Sequence, residues 1–260
     1  FKRWMMIPNF SKKIFSKISL CLTSNKISKD YLNKLGAINI KSFGNLKYAQ
    51  SEKQIIKIDK NFKRFINSKK SWCASSTHNG EEKIFGLVHQ KLKKKHKNLL
   101  TIIIPRHIDR VDIIEKEYLK MGLKTHIHEP IKKIKKDIDI YLVNTYGQTK
   151  TFFNICKNVF LGGSIIKHGG QNPLEAARFG CNILHGPHIN NFSEIYLFLR
   201  KNKISTKVHS VNKIVSILDK FLLKKNNSKF IRKKIDSLGN KILELTYKEI
   251  YFYINKNESK

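Results

Sequence analysis

The sequence is short of acidic residues, with 19 Asp and Glu against 52 Lys and Arg, so its formal charge is +33. It also holds only four cysteines, Cys21, Cys73, Cys156 and Cys181. They lack CxxC spacing and lie in apolar stretches, which argues against a zinc site or a disulfide framework and favours buried free thiols in a reducing compartment. No apolar run approaches the roughly 18 to 20 residues needed to span a bilayer, so no membrane-crossing segment is predicted.

The positive charge favours contact with phosphates, whether in nucleic acid, nucleotides or anionic lipid. The chain is also rich in Ile and Asn, and coding by an AT-rich genome produces the same bias toward Lys, Ile and Asn. Charge alone therefore does not choose a partner. A non-catalytic basic protein that binds nucleic acid or an anionic membrane stays open as an alternative, and it predicts a strongly salt-dependent affinity.

The 260 residues, 40% of them hydrophobic, suffice for one large domain or two smaller ones. The chain begins with Phe1 and the stretch "FKRWMMIPNF", which resembles neither a signal peptide nor a transit sequence. We therefore expect that the chain starts inside a longer protein.

Short apolar runs alternate with amphipathic stretches from residue 18 onward, the pattern of βαβ units in a parallel sheet. A first unit has strands at 19–24 and 39–44 around a helix that ends at Gly36. Residues 48–68 are polar and lack a clear period, which indicates a linker or a connecting helix. The predicted fold class is α/β, with a doubly wound parallel sheet.

A second series of strands follows and has the size of one complete doubly wound domain. Its strands are predicted near 71–76, 99–104, 124–128, 138–143, 158–162, 181–185 and 205–209. In residues 211–254 the apolar residues recur with the period of a helix, with a possible break at "KKNNSK". We therefore predict four segments: the end of one domain (1–47), a linker (48–68), a complete domain (69–210) and terminal helices that pack back toward the first domain (211–260).

Ligands of open parallel sheets bind outside the carboxyl ends of the strands, where loops lead into helices. The loop "STHNGEE" lies at such an end and contributes Ser76, Thr77, Gly80 and Glu81 as supporting residues of a site. A purely structural alternative is open, in which Thr77 or Asn79 caps the helix and the two glutamates complement its dipole.

Two further loops follow strands at the same edge. In "PRH", the planar fork of Arg106 can pair with a phosphate, or it can form a salt bridge to Asp109 or Asp112. In "TYGQT", Gly147 permits a tight turn whose neighbours could touch a base or a sugar. The "DID" at 137–139 precedes its strand, which argues against a metal site there.

The stretch "GGSIIKHGGQNPLEAARFG" (162–180) has two glycine pairs and then the start of a helix. Asn172 at the N-cap, Pro173 at the first helical position and Glu175 at the third would form a capping box. That box does not explain the glycines, whereas backbone that closely approaches an anion or a sugar would. The loop residues predicted to support the site are Gly162, Gly163, Ser164, Gly169 and Gly170.

These motifs resemble, in order and spacing, the carboxyl-terminal part of the Kdo (3-deoxy-D-manno-octulosonic acid) transferases of lipopolysaccharide synthesis. They are "GNLKY" (44–48), "ASSTHNGEE" (74–82), "PRHIDR" (105–110), the glycine-rich stretch at 162–180 and "GPHINNF" (186–192). The resemblance implies a GT-B fold with two Rossmann-like domains. It also implies an inverting, metal-independent transfer of Kdo from CMP-Kdo to a lipid A precursor, with no cofactor besides that donor substrate.

Carried over by motif, Lys47 matches the family's lysine that stabilises the transition state, since its positive charge could offset negative charge on the departing phosphate or on the Kdo carboxylate. The residues implied to bind CMP are Pro105, Arg106, Tyr146, Gly147, Gln148, Asn172, Pro173, Leu174 and Glu175. The chain departs from the family at Asn144 and Gln148, where amides replace two carboxylates.

The family's general base lies early in the acceptor domain, which has no counterpart in these residues, so they are expected to bind CMP without catalysing transfer. The resemblance places the enzyme at the cytoplasmic face of the inner membrane, with an anionic membrane surface as partner and no nucleic acid. Another GT-B enzyme that uses a UDP-sugar stays open as a second alternative, and a comparison of CMP with UDP binding separates the two.

Overall fold

The computed structural model describes residues 1–50, 59–128, 134, 137–224 and 226–258. Its strands are β1 (Cys21–Thr23), β2 (Ile40–Ser42), β3 (Lys70–Thr77), β4 (Leu99–Pro105), β5 (Thr125–Ile127), β6 (Ile140–Leu142), β7 (Asn158–Leu161), β8 (Asn182–His185) and β9 (Ser205–Lys207). Its α-helices are α1 (Lys2–Met5), α2 (Pro8–Phe15), α3 (Lys26–Leu35), α4 (Lys60–Asn67), α5 (Glu81–Lys93), α6 (Val111–Lys120), α7 (Thr149–Ile155), α8 (Leu174–Arg178), α9 (Ser193–Lys201), α10 (Val211–Leu223) and α11 (Ser228–Glu258). Short 3-10 helices lie at Leu46–Ala49, Ile108–Arg110 and Asn190–Phe192.

The chain forms two compact units. One combines Phe1–Glu52 with Lys233–Lys260, and the other is Lys53–Arg232. Part of the linker predicted at 48–68, residues 51–58, lies outside the described residues. Within the described part of the chain, no helix is both long and apolar enough to cross a membrane.

The first unit contains a two-stranded parallel sheet, in which β1 pairs with β2. Between them, Asn25 caps α3 by accepting a hydrogen bond from the Ser28 N–H at 2.8 Å, and the helix ends at Gly36 in the left-handed region, with φ of 94°. Such a helix end favours glycine, which has no Cβ to clash. The predicted helix end at Gly36 is therefore confirmed.

A long helix, α11, packs against the "GNLKY" turn of the same unit. A Cβ added at Gly239 would lie 2.3 Å from the carbonyl oxygen of Tyr48, so the helix and the turn are in backbone contact there. This contact explains a glycine in the middle of a helix, where glycine is otherwise unfavourable. It also fixes the turn that carries Lys47.

The second unit contains a seven-stranded parallel sheet in the order β5-β6-β4-β3-β7-β8-β9. The chain runs from β3 through β4 to the edge strand β5, returns to β6 between β5 and β4, and then starts β7 on the other side of β3. The direction of winding therefore reverses between β3 and β7, which makes this pair the switch point of a doubly wound sheet. The predicted fold class is confirmed, and so is each strand of the second series.

The core of this unit lies between the sheet and its helices. Every residue of β4, "LLTIIIP", is buried, as expected for a strand covered on both faces. On one face Trp72 packs edge-on against Phe85, at 5.8 Å between ring centroids, and Phe85 lies 4.9 Å from Phe160. The four cysteines are free and buried, as predicted.

The terminal helices do not form one group. We predicted that residues 211–260 pack back toward the first domain, but α10 contacts α5 and the strands β3 and β7. Its Ile214 and Leu218 belong to the hydrophobic core of the sheet unit, so α10 is an element of that unit. Residues Lys233–Lys260 belong to the first unit.

Candidate nucleotide-sugar site

The loops that follow β3 and β7 meet at the switch point of the sheet. The Gly162 N–H donates to the Ser75 carbonyl at 2.8 Å, and the Arg106 N–H donates to the Thr77 carbonyl at 3.0 Å. The loops after β3, β4 and β7 are thus tied together by main-chain hydrogen bonds. Ligands of doubly wound sheets bind at this position, because the loops on either side of the switch point diverge and leave a crevice.

Glu81 is fully buried and holds two of these loops together. One carboxylate oxygen accepts hydrogen bonds from the N–H groups of His78 at 3.1 Å and Gly163 at 2.8 Å. The other accepts from those of Ser164 at 3.2 Å and Ile165 at 3.0 Å. Four main-chain donors satisfy the buried charge, as a buried carboxylate requires. Glu81 therefore ties the loops after β3 and β7 together, rather than only complementing a helix dipole.

The neighbouring Glu82 is equally buried and forms an ion pair with Arg110, at 2.9 Å between Oε1 and a guanidinium nitrogen. The Thr77 hydroxyl donates to the same Oε1 at 2.9 Å. The predicted capping role of Thr77 or Asn79 is wrong: Gly80 occupies the N-cap position of α5, with φ of 89° and no side-chain capping bond. The start of α5 is held by contacts with other loops instead.

The first glycine pair is explained by the protein's own atoms. A Cβ at Gly162 would lie 2.3 Å from the Ser76 carbonyl oxygen, so β3 and β7 approach too closely there for any side chain. Ser76 itself has φ of 56°, unusual for a residue other than glycine. At Gly163, with φ of 64°, an added Cβ would lie within 3.3 Å of two imidazole rings, those of His78 and His168.

The second glycine pair folds back on the first. Both Gly169 and Gly170 have positive φ, 97° and 76°, and the Gly170 N–H donates to the Gly163 carbonyl at 2.8 Å. Ser164, fully buried, accepts from the Gly186 N–H at 2.8 Å through its hydroxyl. The loop predicted to support the site is therefore a closed, internally bonded turn, and the close approaches seen at these glycines are to other parts of the chain.

Arg106 and three histidines surround the mouth of this turn. His78 is 7% exposed and its ring contacts that of His168 in a tilted arrangement, at 4.0 Å between centroids, with the His107 ring 6.1 Å away. Burial, reinforced by His168, His107 and Arg106, lowers the pKa of His78 to about 4. Arg106 is exposed and forms no ion pair with any described residue, so the predicted alternative of a salt bridge to Asp109 or Asp112 is wrong.

Glu175 lies beside the loop that precedes α7. The Thr149 hydroxyl donates to Glu175 Oε2 at 3.2 Å, and the Lys150 ammonium is 3.9 Å from Oε1. Tyr146 is 67% exposed, and Gly147, with φ of 79°, has open space around it. The structure thus brings the predicted "TYGQT" and "NPLE" segments to one place.

The start of α8 differs from the sequence prediction. The helix begins at Leu174, with Pro173 in the N-cap position and no side-chain capping bond, so the predicted capping box is wrong. Asn172 instead accepts a hydrogen bond from the Leu174 N–H at 3.1 Å in a local turn. This register leaves Glu175 on the first turn of the helix, bonded across to Thr149.

Lys47 belongs to the first unit, where it is exposed on the 3-10 helix Leu46–Ala49. The Asn45 side chain accepts from the Lys47 N–H at 3.0 Å and so shapes the start of that turn. Pro105 is buried at the end of β4, directly before Arg106.

The aspartates of the "DID" stretch lie at the opposite, amino-terminal edge of the sheet, beside an open cavity of about 460 Å³. Asp139 contacts Lys93 at 3.0 Å and His89 at 3.2 Å, and Asp137 pairs with Lys124. Across the described residues, no group of three or more His, Cys, Asp and Glu side chains is placed to hold a metal ion.

Sequence reasoning missed the roles of His78, His168, Thr149 and Arg110. The histidines carried a signal, because "STH", "PRH" and "KHGG" each place one in a loop at the same sheet edge. Arg110 and Thr149 carried no such signal, since each contacts a partner distant in sequence, Glu82 and Glu175 respectively.

Curated relatives of this chain are 3-deoxy-D-manno-octulosonic acid transferases. That of Haemophilus influenzae is 30% identical over 248 residues, 93% of this chain and 57% of that protein. Those of Rickettsia bellii and Aquifex aeolicus are each 28% identical, covering 89% and 88% of this chain and 55% and 61% of those proteins. The chain thus spans little more than half the length of these relatives. No family model matches the chain.

Solved structures show the same fold. The carboxyl-terminal CMP-Kdo binding domain of WaaA from Acinetobacter baumannii aligns with 69% of this chain and 91% of that domain, with a TM-score of 0.59 and 21% identity. A UDP-N-acetylglucosamine 2-epimerase from Listeria monocytogenes covers 89% of this chain and 60% of its own length, with a TM-score of 0.53 and 12% identity. These neighbours have the GT-B fold. The chain is therefore a homologue of the Kdo transferases, and its fold is that of the GT-B glycosyltransferases.

Proposed function

We propose that this chain contains the donor-binding part of a Kdo transferase and binds CMP-Kdo at the switch point between β3 and β7. The observation that carries the proposal is the exposed guanidinium of Arg106, which has no ion-pair partner among the described residues and lies at the crevice where such sheets bind nucleotides. A bidentate guanidinium suits the phosphate of CMP.

The segments beside Arg106 complete the proposed site. Glu175, held by Thr149, would accept hydrogen bonds from the ribose hydroxyls of CMP. Tyr146, Gly147 and Gln148 would contact the nucleotide from the neighbouring loop, where Tyr146 is well exposed. The relatives named as Kdo transferases support Kdo as the transferred sugar, and the fold shared with the CMP-Kdo binding domain of WaaA supports CMP-Kdo as donor.

In the whole enzyme, the proposed reaction is an inverting transfer of Kdo to a hydroxyl of a lipid A precursor, without a metal ion. Lys47 would stabilise the negative charge that develops on the departing phosphate. An enzyme with such an acceptor would work at the cytoplasmic face of the inner membrane, where the basic surface of this chain, with its charge of +33, would favour anionic lipid.

Calorimetric titration with CMP and UDP tests the proposal. CMP should bind at least about tenfold more tightly than UDP, because a site built to hydrogen-bond one base rejects another that leaves its polar groups unpaired. Arg106→Gln should lose about tenfold or more of the CMP affinity. Arg64→Gln, which alters an exposed arginine on α4, should leave it unchanged.

Tighter binding of UDP would instead favour a UDP-sugar enzyme, a candidate supported by fold neighbours such as the HepE protein of Anabaena, solved in complex with UDP (TM-score 0.51, 9% identity, 98% of this chain and 68% of that one). An affinity that survives Arg106→Gln but falls steeply with salt would favour a non-catalytic basic protein. We expect residues 1–260 to bind CMP without transferring Kdo, and rapid transfer by these residues alone would contradict that expectation.

A further inference from the structure

Three imidazole rings from three different loops converge beside Arg106. His78 follows β3, His107 follows β4 and His168 follows β7. The centroid of the His78 ring lies 4.0 Å from that of the tilted His168 ring and 6.1 Å from that of His107, while the Gln171 side-chain nitrogen is 3.5 Å from His78 Nε2. Because sequence-distant residues form this cluster, the winding of the sheet brings them together.

The cluster has a buried floor and an exposed rim. His78 is 7% exposed and packs over Gly163, whereas His107, His168 and Arg106 are exposed above it. The main-chain N–H of Gly163 is held by Glu81 at 2.8 Å, so the floor is fixed in place. A ligand at the mouth of the turn would meet the rim side chains.

The two glutamates that follow His78 closely in the chain, Glu81 and Glu82, already have partners. The Glu81 carboxylate accepts hydrogen bonds from four main-chain N–H groups. The Glu82 carboxylate forms an ion pair with Arg110 and accepts a hydrogen bond from the Thr77 hydroxyl. Arg106 has no ion-pair partner among the described residues. The guanidinium of Arg106 and the exposed imidazole rings of the rim can therefore contact a ligand, and guanidinium and imidazole N–H groups are donors suited to anions.

A CMP-activated keto-acid sugar carries two anionic groups, a phosphodiester and a carboxylate on the anomeric carbon. Arg106 accounts for the phosphate in the proposed function, on which the present inference rests. We propose that His168 and His107, above His78, bind the carboxylate of the donor sugar. The cluster then selects acidic sugars, because a neutral sugar would leave these donors desolvated and unpaired.

The test compares CMP-Kdo with CMP in calorimetric titrations of the full chain. The native chain should bind CMP-Kdo about tenfold or more tightly than CMP. His168→Gln should reduce that ratio to about threefold or less while the CMP affinity stays unchanged, since the amide lacks the ring N–H that would donate to the carboxylate. His209→Gln, which alters an exposed histidine after β9, should leave both affinities as they are.

CMP binding with no advantage for CMP-Kdo, or an advantage that survives in both His168→Gln and His107→Gln, overturns this inference alone. A native chain that binds neither compound overturns the proposed function as well.

Discussion

The carboxylate of Glu81 accepts a hydrogen bond from the main-chain N–H of Gly163 at 2.8 Å, across the switch point between β3 and β7. It accepts three further main-chain N–H groups, one from its own loop and two from the loop of Gly163. One buried carboxylate thus fixes the two loops that flank the proposed donor site.

Glu81→Gln should destabilise the fold and loosen the site together. An amide has one acceptor oxygen, and its NH₂ group would face main-chain N–H donors, so about two charge-assisted hydrogen bonds would be lost. We expect a cost of about 3 kcal/mol in the free energy of unfolding, measured in urea. Glu194→Gln, an exposed glutamate at the start of α9, should change it by about 0.5 kcal/mol or less. Equal stability of the two variants would contradict the role given to Glu81.

Gly162→Ala should cost more stability than Gly147→Ala. The new methyl group at 162 would lie 2.3 Å from the Ser76 carbonyl oxygen, which forces β3 and β7 apart. A cost of about 3 kcal/mol is expected from such overpacking. At Gly147 there is open space, and only the positive φ of 79° opposes the substitution, at about 1 to 2 kcal/mol. Equal costs in urea unfolding would show that backbone conformation, and not the close approach, requires Gly162.

Glu175→Gln should separate ligand binding from folding. The amide oxygen can still accept from the Thr149 hydroxyl, so the thermal midpoint should change by about 2 °C or less. The loss of the charge should weaken CMP binding about tenfold or more, since hydrogen bonds to a carboxylate are stronger than those to an amide. A parallel loss of stability and CMP affinity would instead indicate a structural role for this side chain.

The stability of the ligand-free chain should fall as the pH is lowered from 6.5 to 5. Burial is the main cause that lowers the pKa of both His78 and His185 to about 4. Between pH 6.5 and 4 the unfolded chain therefore takes up protons that the folded chain excludes. The stabilisation is complete above about pH 6.5 and is lost as the pH falls, by about 3 kcal/mol for the two residues by pH 5.

Urea unfolding at pH 7.5, 6 and 5 measures this loss. His78→Gln should remove part of it, because one of the titrating groups is then absent, while His185 and His128, whose pKa values burial also lowers, remain. His209→Gln changes an exposed histidine and should leave the pH dependence as in the native chain. A free energy of unfolding that is flat between pH 7.5 and 5 would contradict the low pKa values of the buried histidines.

The strands and helices followed from local patterns in the sequence. The wholly apolar run of β4 is typical of a strand buried on both faces, and Gly36 ended its helix as predicted. These signals are local, because side-chain periodicity and turn chemistry act within a few residues. The edge of the sheet where the site lies was predictable for the same reason, since all strands of a parallel sheet point their carboxyl ends the same way.

The sequence by itself therefore determined the fold class, the family resemblance and the loops that carry the candidate site. Only the tertiary structure decided which side chains meet: Glu81 with the loop at 163–165, Thr149 with Glu175, and His78 with His168. It also assigned α10 to the sheet unit and replaced the predicted capping box at Asn172 by a local turn. The reason is physical: these contacts depend on strand order and on how closely β3 and β7 approach, which no local pattern records.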